Sequence, residues 1–373
     1  NVISLQAHFR PVSDPSWEAL ALAFWPNLHW VIYMRITKLI GALIGAMLIG
    51  SVLQAADRLT MYCSPQIEWC ELMVKTFEKQ TGIRVKMTRK SSGETLAQIK
   101  AERTNPKGDV WWGGTGDPHL QAAEEGLTEV YNSPMLSQLQ DWALSPHKAT
   151  GGRTVGIYMG GLGYGYNKEL LASKGLPAPK CWKDLLNPAF KDEVQIANPN
   201  TSGTSYTTLA TMVQLFGEEG GFDFMKQLHQ NVSQYTKSGS APIRAAAIGE
   251  TTVGIVFMHD AVTQAVKGMP IQTVAPCEGT GYEIGSMSII KGARNMESAK
   301  KFYDFALNAD IQSMAASVGA YQVPSNKDAK VPKEAPDLDS VKVIDYDHAK
   351  YGSKDVRTRL LSKWDNEVST LPR

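Results

Sequence analysis

From residue 57 onward, apolar residues recur with two alternating periods. Residues 59–63 (LTMYC) form a short apolar run of strand type. Ile67, Cys70, Val74 and Phe77 then share one helical face, and Gly82 stands where a left-handed C-cap belongs. Residues 83–88 alternate Ile, Val and Met with Arg, Lys and Thr, which predicts a second strand. Ser91-Ser92-Gly93-Glu94 has capping-box form and opens a helix carrying Leu96 and Ile99. Residues 109–112 predict a third strand, with Trp111 and Trp112 on opposite faces and at least one of them in the core. Asp117-Pro118 starts the next helix, with proline at its first position. Three strand–loop–helix units in succession predict a parallel sheet with helices on its faces.

Residues 154–167 (TVGIYMGGLGYGYN) differ: a long strand pattern is broken repeatedly by glycine. Glycine within a strand marks bends or close backbone approach, so this segment is read as a crossing between two bodies. A second block follows, with a strand at 194–197, helices at 204–216 and 222–231, and strands at 253–257 and 271–275. Residues 284–290 predict a second crossing strand. Helices at 298–307 and 311–318, a proline-rich segment at 331–336 and a helix near 356–364 complete the chain. The expected fold is α/β and two-lobed, a hinged clamp. Each lobe is a mainly parallel sheet flanked by helices, and two crossing strands form the hinge. Ligands in such folds bind at strand C-terminal ends and helix N-termini, which here face the cleft.

A chain of 373 residues suits two domains. The net charge of +1 supplies no basic field for nucleic acid or an anionic membrane. Residues 34–38 (MRITK) are a basic start, 39–53 are apolar, and Ala55 and Ala56 precede Asp57-Arg58. This is the secretory-signal pattern, read over 34–56. The apolar run is shorter than the ~20 residues of a membrane-spanning helix; a retained anchor is the alternative. Residues 1–33 lack periodicity and precede Met34, so they are read as a non-native upstream extension. Beyond residue 56 the chain holds 35 basic and 35 acidic residues.

The four cysteines, Cys63, Cys70, Cys181 and Cys277, are an even set in a chain expected to be exported, which predicts disulfides. Proximity favours Cys63–Cys70 and leaves Cys181–Cys277. Three pairings remain open, as do free buried thiols. The spacing fits no zinc motif, and neither metal nor cofactor is expected.

Candidate chemistry lies in the loops after strands. Ser91 and Ser92 sit beside helix N-terminal amides, a natural anion site, although Ser91 alone reads equally as a cap. Gly113-Gly114-Thr115-Gly116 offers backbone free to approach a ligand. Asn200-Thr201-Ser202-Gly203-Thr204-Ser205 is a second hydroxyl-rich helix start. Two such starts facing one cleft make an anion clamp without Lys or Arg. His259 and Asp260 end an apolar strand, where Asp260 is also a candidate N-cap, and Glu283 lies at the second crossing.

In order, CSPQIEWC, RKSSGETLAQIKAE, DVWWGGTGDPHLQAAEEGL, GLGYGYNKELL, NPNTSGTSY, FMHD and GYEIGSMSIIKGA resemble the type II periplasmic binding proteins of the ferric-ion, thiamine and phosphonate group. Within it, the chain is most similar to the AfuA-type sugar-phosphate-binding proteins, from about residue 57 to the end. The resemblance implies a periplasmic, monomeric solute-binding component of an ABC importer. Its partners would be a phosphorylated small molecule and an inner-membrane permease. The resemblance places Ser91 and the 202–205 helix start, with Ser202, Thr204 and Ser205, at a phosphate, and His259, Asp260 and Glu283 at sugar hydroxyls; the loop reading adds Ser92 and Thr115 to the phosphate end. The expected division is 57–158 in the first lobe, 159–283 in the second and 284–332 back in the first. The last segment, 333–373, returns to the second lobe.

Alternatives remain. An aminoalkylphosphonate carrier would pair Asp260 and Glu283 with an ammonium. A ferric-ion carrier of this group would carry an adjacent tyrosine pair, and no Tyr-Tyr occurs here. A secreted hydrolase lacks support in the absence of a Gly-x-Ser-x-Gly elbow, a His-Glu-x-x-His pair or a Walker loop.

Overall fold

The computed structural model describes residues 57–373. The expected upstream extension (1–33) and export signal (34–56) lie outside the described residues. The first half opens with β1 (Arg58–Cys63), α1 (Ile67–Thr81), β2 (Arg84–Arg89), α2 (Ser92–Ala101), β3 (Val110–Trp112) and α3 (Gly116–Glu124). Helix α4 (Asp141–Ala149) leads into β4 (Val155–Asn167), and α5 (Lys168–Ser173) follows it. The second block is β5 (Val194–Ala197), α6 (Gly203–His229), β6 (Val232–Thr236), α7 (Ala241–Ala247), β7 (Val253–Phe257), α8 (Met258–Val266) and β8 (Ile271–Val274). The chain closes with β9 (Tyr282–Ile289), α9 (Met296–Ala306), α10 (Ala309–Ser313), β10 (Val323–Pro324), α11 (His348–Tyr351) and α12 (Lys354–Glu367).

Strand β4 is the structural axis. Its first half, Val155 to Gly161, pairs antiparallel with β9; its second half, from Leu162, pairs antiparallel with β7 and β8. One continuous strand therefore belongs to the sheets of both lobes. Within the lobes, β1 is parallel to β2 and β3, and β5 is parallel to β6 and β7, as the strand–helix alternation predicts. The crossing strands β4 and β9 lie at the centre of the order β2-β1-β3-β9-β4-β7-β5-β6 and run antiparallel to their neighbours, with the parallel strands of each lobe on either side. The crossing strands arrive from the opposite lobe without a covering helix, and only parallel neighbours require such a crossover.

Two apolar clusters separate the lobes. Met61, Trp112, Met287 and Phe302 belong to the first; Tyr164, Tyr206, Phe222 and Ile255 belong to the second. Leu360 and Trp364 of α12 are buried in the second cluster. Fully burying a side chain of that size contributes about 1.5–3 kcal/mol, which holds α12 against that cluster.

Several local expectations shift. Both Trp111 and Trp112 are buried, because β3 is covered on both faces. Helix α1 buries Trp69, Cys70, Met73 and Phe77, while Ile67 stays exposed at its first position. Helix α3 begins at Gly116 with Thr115 at its N-cap, so Pro118 is its third residue, not its first. Strand β6 and helix α7 had no separate signal: β6 buries only Val232, and α7 spans seven residues. Helix α6 is interrupted at Gly217, whose φ of 76° breaks the helical path between the two predicted segments. The disulfides Cys63–Cys70 and Cys181–Cys277 are both formed.

Candidate functional site

The two hydroxyl-rich helix starts meet across the cleft. They help form a cavity lined at one end by Ser91, Ser92, Thr115, Ser202 and Thr204. Ser205 does not line it; its buried hydroxyl lies behind the wall without a hydrogen-bond partner among the described residues. The two starts also play unequal parts. The Gly93 and Glu94 N–H groups of α2 donate to the Thr201 carbonyl, at 3.0 and 3.3 Å, and so hold the lobes together. Thus α2 offers the cavity its hydroxyls rather than these amides. At α6, the Gly203, Thr204 and Ser205 N–H groups have no acceptor among the described residues, and helix N-termini of this kind receive anions.

Ser91 holds the capping-box position over α2, and its N–H donates to the Glu94 carboxylate at 3.2 Å. Its Oγ faces the Glu94 N–H within that box and is otherwise buried without a hydrogen-bond partner among the described residues. Thr115 Oγ1 is also buried without a partner, pressed against Gly203. A side chain on Gly203 would begin 1.8 Å from that oxygen, so the glycine permits the closed contact.

Arg89 corrects the expectation of a clamp without Lys or Arg. It lines the cavity, and it donates to the Pro65 and Ser64 carbonyls at 3.0 and 3.3 Å and to Ser238 Oγ at 3.3 Å. Burial, reinforced by the nearby Arg244, lowers its pKa, opposed by the carboxylates of Asp260 and Glu94. The signal was available: β2 runs to Arg89, two residues before Ser91.

At the other end, β7 runs into α8 and delivers His259 and Asp260, while β9 delivers Glu283. Asp260 is the third residue of α8, with Phe257 at the N-cap position, so it is not the cap. His259 Nε2 lies 3.9 Å from a carboxylate oxygen of each acid. Burial lowers the His259 pKa, opposed by the charge of Asp260, and favours neutral imidazole. Burial, reinforced by Asp260 and Asp117, raises Glu283 well above the usual carboxylate range. Gly160 makes room for the ring, since a Cβ there would stand 2.5 Å from His259 Nδ1. Tyr158 closes this end, its OH accepting from the Gly114 N–H at 2.8 Å.

Sequence reasoning missed Gln66, Arg89, Tyr158 and Gln322 among the lining residues. Gln66 Oε1, Gln322 Oε1, Ser91 Oγ, Thr115 Oγ1 and His259 Nδ1 are all buried without partners. Each such atom costs about 1–3 kcal/mol unless it is satisfied, which suits the cavity to a polar guest.

Behind the cavity, Asp117 is buried beside Thr207 and Tyr346, whose hydroxyls approach its oxygens at 3.4 and 3.5 Å. Burial pushes its carboxyl up to about 6, against the pull of Arg357. The folded chain therefore keeps a proton that the unfolded chain releases near pH 4. Stability contributed by this group is full below that pH and is lost as pH rises to about 6, on the order of 3 kcal/mol. Urea melts from pH 4 to 7 should show this fall in the wild type and a flatter profile in Asp117→Asn; parallel profiles would contradict it.

Two lobes on a shared strand, closing over a buried polar cavity, define a solute-capturing protein. The family model described as bacterial extracellular solute-binding protein matches residues 114–351, and the chain belongs to that family. Among solved structures, it is similar to the periplasmic binding protein AfuA of Actinobacillus pleuropneumoniae, solved with exogenous fructose-6-phosphate bound. The two are 48% identical, with a TM-score of 0.82, covering 84% of this chain and 99% of that one. The periplasmic binding protein P5PA is 42% identical, with a TM-score of 0.81 and the same coverage. A Haemophilus influenzae protein described only as uncharacterized is 47% identical over 84% of this chain and 91% of its own length.

Proposed function

We propose that this protein is the periplasmic binding component of an ABC importer and that it carries a hexose phosphate, handing it to an inner-membrane permease as a monomer. The lobe boundaries at 158/159, 283/284 and 332/333 and an export signal over 34–56 belong to this reading. The observation that carries it is the two-ended cavity. Hydroxyls, free α6 amides and Arg89 suit a phosphate at one end; His259, Asp260 and Glu283 suit vicinal hydroxyls at the other. The relative solved with fructose-6-phosphate supports the same reading. The site is read as non-catalytic: His259 and Asp260 are adjacent, and their 3.9 Å separation is too long for the orienting bond of a triad.

A thermal-shift comparison tests the ligand class. Glucose-6-phosphate or fructose-6-phosphate should raise the melting temperature, and inorganic phosphate should do so weakly. Asp260→Ala or Glu283→Ala should weaken hexose-phosphate binding at least tenfold, about 1.4 kcal/mol, with little change in ligand-free stability. A response to 2-aminoethylphosphonate without one to either sugar phosphate would replace the sugar with an ammonium. A response to Fe(III) that is lost on chelation would make the protein a metal carrier.

A further inference from the structure

Beyond the phosphate and hydroxyl contacts lies Gln66, on the loop between β1 and α1. Its Nε2 donates to Asp260 Oδ1 at 2.5 Å, joining the first lobe to the start of α8 in the second. Its Oε1 is buried and unpartnered, and Gln66 lines the ligand cavity. The bond to a carboxylate fixes the amide's orientation, because the carboxylate accepts and of the two amide ends only the nitrogen donates. The remaining oxygen therefore requires a donor from the guest.

The position of this pair is equally informative. A second, outer space includes Glu68, Arg244 and Lys267 in its lining, all exposed to solvent. It meets the ligand cavity at Gln66, Ser240 and Asp260, which line both. The loop bearing Gln66 is held on three sides. The Cys63–Cys70 disulfide closes its base, Arg89 donates to its Ser64 and Pro65 carbonyls, and Pro65 lies where a side chain on Gly113 would clash.

We infer that Gln66 and Asp260 form a gate between the ligand cavity and the outer space, completed when a ligand hydroxyl donates to Gln66 Oε1, and that the Cys63–Cys70 disulfide positions this gate. Gln66 is thus a specificity-determining residue at the end remote from the phosphate. The inference rests on the hexose-phosphate reading.

Stopped-flow binding of fructose-6-phosphate and glucose-6-phosphate tests it. Gln66→Met, similar in shape but without polar atoms, should raise the dissociation rate at least tenfold, change the association rate less than threefold and leave inorganic-phosphate affinity unchanged. Gln66→Glu should bind poorly at pH 8 and recover on acidification, as protonation removes repulsion from Asp260. Cys63→Ser/Cys70→Ser should also speed dissociation, and adding Gln66→Met to it should have much less than the multiplicative effect, since both act on one contact. Ligand-free melting temperatures confirm that each variant is folded. An unchanged hexose-phosphate dissociation rate in Gln66→Met would overturn the gate while leaving the function standing. A parallel loss of inorganic-phosphate affinity would reduce Gln66 to general loop support and also overturn the gate. If the wild type binds neither sugar phosphate, the functional reading fails and the gate fails with it.

Discussion

Ser91→Asp should abolish capture of a phosphorylated ligand and leave the unliganded chain folded. The Ser91 hydroxyl lines the cavity, buried and without a partner. Aspartate is a good N-cap residue and favourable at a helix N-terminus, which offsets part of the cost of burying a carboxylate beside Glu94. The ligand, however, then meets a carboxylate at its phosphate. Two unit charges about 4 Å apart cost about 4 kcal/mol at an effective dielectric of 20, and the phosphate carries more than one charge. Arg89 offsets part of that repulsion, so the expected loss in affinity is on the order of a thousandfold. Calorimetry with fructose-6-phosphate measures it, and an affinity within threefold of wild type would remove Ser91 from the phosphate site.

Gly203→Val should be as damaging for a different reason. The α6 start and α3 approach so closely that any Cβ at 203 meets Thr115 Oγ1 at 1.8 Å and Thr115 Cβ at 2.8 Å. Neither helix can yield locally, because Thr115 and Gly203 begin buried helices anchored in different lobes. The clash is therefore relieved by separating the lobes, which parts Ser91 and Thr115 from Ser202, Thr204 and the α6 amides across the cleft. Affinity should fall more than a hundredfold while ligand-free stability changes little, and small-angle scattering should show no compaction with ligand. Thr115→Gly in the same chain opens space opposite residue 203 and should restore part of the loss. Wild-type affinity in Gly203→Val would mean that this contact is not required for binding.

The fold was legible where local chemistry repeats. The β1-to-α3 alternation, the Gly82 cap and the glycine-broken β4 each have a short-range signature, and each stands where the pattern puts it. Strand β6 was hidden because an edge strand with one buried residue has no period to read. The site divides the same way. Hydroxyls beside a helix start are visible in sequence, so Ser91, Ser92, Thr115, Ser202 and Thr204 are candidates there, and the structure gathers them in one lining. Ser205 shares their motif, but helical rotation turns it behind the wall. Gln66, Gln322 and the Thr201 carbonyl reach the cavity or its closing contact from segments distant in sequence, and no spacing rule foretells that. Arg89 was hidden by a choice of strand end one residue too early.

The central claim is that one cavity holds a phosphate and a polyol at opposite ends, and a crystal structure grown with fructose-6-phosphate tests it most directly. The phosphate oxygens should lie about 2.7–3.2 Å from Ser91 Oγ and the Gly203–Ser205 amides, with Arg89 beside them and the sugar hydroxyls on Asp260, Glu283 and Gln66 Oε1. A phosphate seated instead against His259 and Asp260, or a ligand outside the cavity, would contradict the account.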